Sequence, residues 1–312
     1  MTSERARVLT LLDELQAAER TGAAALGEWV ACCRDAALRG GLRVMRARDA
    51  AHAALAEARL RALGGTPAAQ PGRNLQSLCG VLAAPEVTDR SKVTILLSRF
   101  PDGVYDPFAE VAAQLDEDDE TRALLATIGD DERVSLRWLR DAGEATGAAE
   151  SAGEGGRAML VGFLDALASA EAAGADVLTA WIAVCGVPGL RGGLRTLAAR
   201  ERTHAVLLAE RLREIGARPA AALSEPVRRA ALARFGAADV PDDAKLAATL
   251  ARHPNADEPA ERIRFVADAL GGDPETRTML ALVAAGESAT MGWLRAYHSA
   301  IDGGVPAHVA SR

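Results

Sequence analysis

A chain of 312 residues, about half of them hydrophobic and a quarter charged, is long enough to bury a substantial core, and more than one. Aromatic residues make up only 4%, β-branched runs are short, and Ala, Leu and Arg dominate, which points to an all-α protein. The net charge of −7, with Arg and Lys interleaved among acids, argues against a nucleic-acid partner.

In chain order, the first predicted helix begins near Ser3 or Glu4 and runs to about Arg34. Val8, Leu12, Leu15, Glu19, Gly22, Leu26 and Trp29 fall on one stripe, so Glu19 is predicted to point inward. A second helix carries Leu38, Leu42, Met45, Asp49, His52 and Leu63 on its stripe and stops at Gly64-Gly65, ahead of Thr66-Pro67. The region before the last helix is less regular. Helices are expected over Pro85–Phe100 and Pro107–Leu115, separated by Pro101-Asp-Gly, and together they fill a third position. A further helix starts at the capping residues Asp118-Asp119 and carries Leu125, Ile128, Glu132, Ser135 and Leu139 inward.

The same order then repeats, about 150 positions later. Leu160, Leu164, Leu167, Glu171, Gly174, Leu178 and Trp181 match the first stripe. Leu190, Leu194, Leu197, Glu201, His204, Leu208 and Ile215 match the second, which stops at Gly216 before Pro219. Val240–His253 and Pro259–Leu270 fill the irregular region, and Leu280, Val283, Glu287, Thr290 and Leu294 form the last stripe, after Asp273-Pro274. Asp141–Gly156, rich in Gly, Ala, Ser and Glu and without an apolar stripe, reads as a linker. The expected domains are therefore 1–141 and 157–301, joined by 142–156 and followed by a tail at 302–312.

The four cysteines, Cys32, Cys33, Cys79 and Cys185, lack CxxC spacing, and Cys33 and Cys185, matched at helix ends, read as small buried residues of a reducing cytoplasm. The charged N-terminus does not resemble a signal peptide, and the best apolar run, Val177–Leu190, is broken by Gly186, Pro188 and Gly189. No membrane partner is expected and the expected location is the cytoplasm; a homo-oligomer is compatible with the sequence. His298 and His308 read as surface residues.

Each half thus offers an inward acid on its first helix, an acid and a histidine three apart on its second, and an inward acid on its last. These are Glu19, Asp49, His52 and Glu132, then Glu171, Glu201, His204 and Glu287. A buried carboxylate without a partner costs several kcal/mol, so something must neutralise the group. An oxygen and nitrogen donor set suits iron or manganese. Arg48 and Arg200, or Lys92 and Lys245, also match between halves and offer internal counter-ions, as does protonation of one acid.

The layout resembles the ferritin-like superfamily of ferritins, bacterioferritins and rubrerythrins, most visibly in AERTG, ARERTHAVLLAERLREIGA and DERVSLRWL. The resemblance implies two tandem ferritin-like four-helix bundles. It further implies Glu171 and Glu287 as terminal ligands, Glu201 bridging or binding beside His204, and the same roles in the first half. Ser135 and Thr290 replace the last histidine of that pattern, and Asp89 and Asp242 are the only matched acids near the third position. The set is short of a di-metal site and fits one iron or manganese ion per bundle, with a redox or metal-handling role. The alternative is a degenerate helical scaffold or interaction protein without a metal. A nucleophile elbow, a phosphate-binding loop and HExxH are all missing, which leaves hydrolase or transferase chemistry unsupported.

Overall fold

The structure, a computed structural model, describes residues 3–71, 73–98, 115, 118–144, 154–220, 225–255, 257–268 and 272–302. Among these residues it is all-helical, with eleven helices and no strand. The first half comprises α1 (Ser3–Cys32), α2 (Ala36–Ala62), α3 (Arg73–Ala83), α4 (Asp89–Leu97) and α5 (Asp119–Glu144). The second comprises α6 (Glu154–Val184), α7 (Pro188–Glu214), α8 (Glu225–Phe235), α9 (Asp242–Arg252), α10 (Glu258–Asp268) and α11 (Pro274–Asp302).

Local chemistry sets the ends of the long helices. The Asp35 side chain accepts from the Leu38 amide at 3.0 Å and starts α2, whereas α7 starts on Pro188, whose missing amide hydrogen needs no cap. Both helices close through glycines in the left-handed region, Gly64 at φ 81° and Gly216 at φ 78°, where a side chain would be strained. The predicted stripes face the core: Val8, Leu12 and Trp29 on α1, Leu160, Leu164 and Trp181 on α6, and Leu125, Ile128 and Leu139 on α5 are all buried.

The irregular regions hold more helix than the sequence suggested. Helix α3 packs on α1 and α8 on α6, ahead of the third position, and neither was expected. Helix α8 buries only Phe235, so an apolar stripe was not there to be read in it. Helices α4, α9 and α10 fall within the predicted 85–100, 240–253 and 259–270 segments, give or take a residue. The predicted Pro107–Leu115 helix lies outside the described residues except for Leu115, as do most of the linker and the tail beyond Asp302. Helix α5 runs on to Glu144 and α6 starts at Glu154, so both helices extend into the segment read as linker. All four cysteines are free, and Cys33 and Cys185 are buried as expected. Contrary to the expectation that the broken run Val177–Leu190 is the best the chain offers, 157–184, within α6, is long and apolar enough by composition alone to cross a membrane.

Within each half the first helix packs along the second, α1 on α2 and α6 on α7. The last helices reach across: α5 lies closely on α7, and α11 on α2. The repeated Arg-Gly-Gly-Leu-Arg segment explains this crossing. Gly40 admits the backbone carbonyl of Glu275 and Gly192 that of Glu120, so closely that a Cβ at either glycine would overlap it. Gly41 and Gly193 make the same room for the indoles of Trp138 and Trp293. Arg39 and Arg43 each reach the buried Glu275 carboxylate at 2.9 Å, and Arg191 and Arg195 each reach Glu120 at 2.9 Å. Such reciprocity is what an isologous dimer interface shows, here formed within one chain. The centre of the molecule is consequently a layer of α2, α5, α7 and α11, with α1 and α6 outside it.

Candidate metal centres

The two polar clusters lie where the first, second and last helices of each half meet. Glu19 from α1, His52 from α2 and Glu132 from α5 bring their donor atoms within 4.8 Å of one another, and Glu171, His204 and Glu287 do the same in the second half. The Nδ1 atom of His52 lies 3.2 Å from Glu132 Oε1 and 3.8 Å from Glu19 Oε2. That of His204 lies 3.2 Å from Glu171 Oε2 and 3.5 Å from Glu287 Oε1. Glu132 Oε1 and Glu287 Oε1 are buried without an aligned hydrogen bond, as is His52 Nδ1.

Asp49 and Glu201 occupy a neighbouring position. Their carboxylates sit over Gly22 and Gly174, where the missing side chain leaves room; a Cβ on Gly22 would lie 2.7 Å from Asp49 Oδ2, and one on Gly174 would overlap Glu201. The repeated glycine on the first stripe therefore makes space for the acid of the second helix. Six of the eight expected ligands converge as two trios, and Asp49 and Glu201 stand beside them.

Burial and crowding favour the protonated forms of Glu19, Asp49, Glu171 and Glu201, and neighbouring carboxylates favour those of both imidazoles. Burial, then Glu287 and Glu171, push the Glu201 carboxyl well up, and burial, then Glu19 and Glu132, do the same to Asp49. Glu19 and Glu171 are raised by burial and by Glu132 and Glu287 respectively. Burial works against the His204 imidazolium, but Glu171 and Glu287 outweigh it and raise the value to about 9. Against the same burial, Asp131, Glu132 and Glu19 raise His52 well above the ordinary range.

Asp131, which the sequence reading did not single out, lies between the two centres. It is 1% exposed and meets charges from both halves: Arg200 Nε at 3.1 Å, Arg48 Nε at 3.7 Å and His52 Nε2 at 3.2 Å. Burial would raise its pKa, but the two guanidiniums and His52 hold it far below the usual carboxylate range. Arg48 and Arg200 thus act as counter-ions, principally to Asp131. Arg48 also donates to Ser135 Oγ at 3.2 Å and to the Leu282 carbonyl at 3.1 Å, and Arg200 donates to Thr290 Oγ1 at 2.6 Å. Ser135 and Thr290 therefore anchor arginines at the positions where the resemblance leads one to look for histidines.

The other candidate charges have separate duties. Lys92 donates to Cys32 Sγ at 3.3 Å and lies over the Trp29 ring, while Lys245 donates to the Ala237 carbonyl at 2.8 Å. Asp89 accepts from Trp29 Nε1 and the Arg34 amide, both at 2.9 Å, and Asp242 accepts from Trp181 Nε1 at 2.7 Å and the Gly186 amide at 2.9 Å. These aspartates tie the turn between the first two helices of each half to α4 or α9 and stand outside the two trios. Compared with protein-family models, with curated proteins and with solved structures, the chain matches none.

Proposed function

We propose that each half binds one iron or manganese ion, making the chain a tandem ferritin-like metalloprotein with a role in metal handling or redox chemistry. The observation that carries this reading is the convergence, in both halves, of one imidazole nitrogen and two carboxylates from three helices within 4.8 Å, with buried oxygens left without aligned partners. The donor chemistry fits: carboxylate oxygens and a neutral imidazole suit these ions, and a bound cation would replace the protons that the clustered acids otherwise retain. In this reading Glu19, His52 and Glu132 hold one ion and Glu171, His204 and Glu287 the other, with Asp49 and Glu201 beside them over Gly22 and Gly174. Such an ion supplies Lewis acidity or a one-electron redox couple.

The arginines support one ion per half in preference to a pair. Arg48 on Ser135 and Arg200 on Thr290 already bring a fixed cation beside each cluster. A second ion would meet a permanent positive charge that cannot leave. The competing reading is a metal-free scaffold, favoured by the hydrogen bonds of His52 to Asp131 and of His204 to Glu171, both at 3.2 Å, which pair imidazolium with carboxylate without an ion. Plasma mass spectrometry of protein prepared with iron or manganese separates the two. About two ions per chain, with one lost in His52→Ala and one in His204→Ala, is the expected result; well under one ion per chain in the unaltered protein sinks the proposal.

A further inference from the structure

We infer that Asp131 makes the two centres inequivalent, so that the first half takes up a divalent ion before the second; this rests on the metal-binding reading above. A histidine that ligates through Nδ1 must carry its proton on Nε2, and that proton needs an acceptor when the ring is buried. His52 has one: its Nε2 lies 3.2 Å from Asp131 Oδ2, which leaves Nδ1 facing Glu19 and Glu132. Asp131 is itself held by Arg200 of the second half, at 3.1 Å, so its orientation is fixed from across the interface.

The second half has no equivalent. Asp131 immediately precedes Glu132, and the residue that immediately precedes Glu287 is Gly286. His204 is fully buried, and among the described residues its Nε2 has no hydrogen-bond partner. Ligation by His204 therefore leaves a buried N–H unsatisfied, whereas ligation by His52 does not. Loss of such a supporting partner typically weakens metal affinity about 10–100-fold, which sets the expected gap between the centres. Asp131 is a positioning residue: it acts through His52 and is not among the donors that converge on the ion.

The test is a Mn(II) titration of the metal-free full chain, with free Mn(II) followed by electron paramagnetic resonance. The unaltered protein should bind in two steps about 10–100-fold apart. His52→Ala should remove the tighter step and His204→Ala the weaker one. Asp131→Asn should weaken the tighter step alone. Because that change also strips a carboxylate from two buried guanidiniums and can prevent folding, Gly286→Asp provides the converse test. A Cβ at Gly286 would lie 3.1 Å from His204 Cε1, a fit that needs shifts of a few tenths of an ångström, and the new carboxylate should tighten the weaker step about tenfold or more. Two equal steps, or loss of the tighter step in His204→Ala, overturns the inequivalence while leaving metal binding intact. Absence of Mn(II) uptake at either centre overturns both.

Discussion

Replacing Asp131 by Asn isolates the electrostatic arrangement at the interface of the two halves. The substitution keeps shape and removes the one carboxylate that lies within ion-pair distance of both Arg48 and Arg200, each almost fully buried. Leaving a buried charge without its partner typically costs about 3–5 kcal/mol, a large share of the roughly 5–15 kcal/mol that stabilises a domain. The two arginines are not equally served. Arg200 Nε bonds Asp131 at 3.1 Å, whereas Arg48 Nε stands 3.7 Å away and has no hydrogen-bond partner among the described residues. Burial also lowers the pKa of Arg48, while Asp131 overcomes burial at Arg200 and raises it. In the unaltered chain Arg48→Met should therefore cost less than Arg200→Met. Added to Asp131→Asn, it should recover about 1–2 kcal/mol, because one of two uncompensated charges is gone. Urea unfolding of the metal-free proteins, with the slope monitored to confirm that the same surface is exposed, measures all four. A loss below about 1 kcal/mol in Asp131→Asn, or further loss in the double variant, refutes the reasoning.

The metal-free protein should lose stability as pH rises from about 6.5 to about 9. The His204 imidazolium, raised from 6.5 to about 9, contributes fully below the lower value and loses its contribution as pH passes the higher; the raised carboxyls act in the same direction, since the fold favours their protonated forms. Melting temperatures at pH 6 and pH 9.5 check this, and a flat or rising profile contradicts it; bound Mn(II) should flatten the slope. Gly40→Ala and Gly192→Ala should each destabilise by about 1–3 kcal/mol or more, because the new Cβ meets a backbone carbonyl that cannot swing aside, and equal stability by denaturant melts would disprove the close crossing. Gly162→Ala, on the exposed side of α6 with open space around it, should instead stabilise by about 0.5–1 kcal/mol in the same assay.

The long helices were legible because their apolar stripes persist over many turns, and the internal repeat doubled every signal. Glu19 and Glu171 stood out for the same reason, as acids in otherwise apolar stripes, and both are buried. Helix α8, by contrast, packs on α6 while burying only Phe235, so it carries no apolar stripe from which a period could be read. The crossing of α5 onto α7 and of α11 onto α2 was also present in the sequence, as the paired glycines and the flanking arginines, but those glycines were readable only as turns or packing positions. What they pack against is a backbone carbonyl from the other half, about which a residue type says nothing.

The candidate site divides along a similar line. Comparing one half with the other finds what both retain, and so it finds the two trios together with Asp49 and Glu201. It also found Arg48 and Arg200 as matched charges, but not that they share a single carboxylate. Asp131 has Gly286 as its counterpart, so the comparison that exposed every other polar residue of the centre passed over it. Yet one carboxylate serves two guanidiniums and a histidine precisely because it lies where the halves meet: a second copy at Gly286 would be duplicate charge neutralisation in the same small space. In a duplicated chain, a residue at the interface between the repeats can act for both of them, so a match between the halves is not required there. Thr127 and Thr196 fit this pattern, with a 2.7 Å hydrogen bond across the halves at positions answered by Leu282 and Val44, which join an apolar cluster instead. The asymmetric positions are therefore where differences in behaviour between the two centres are to be sought.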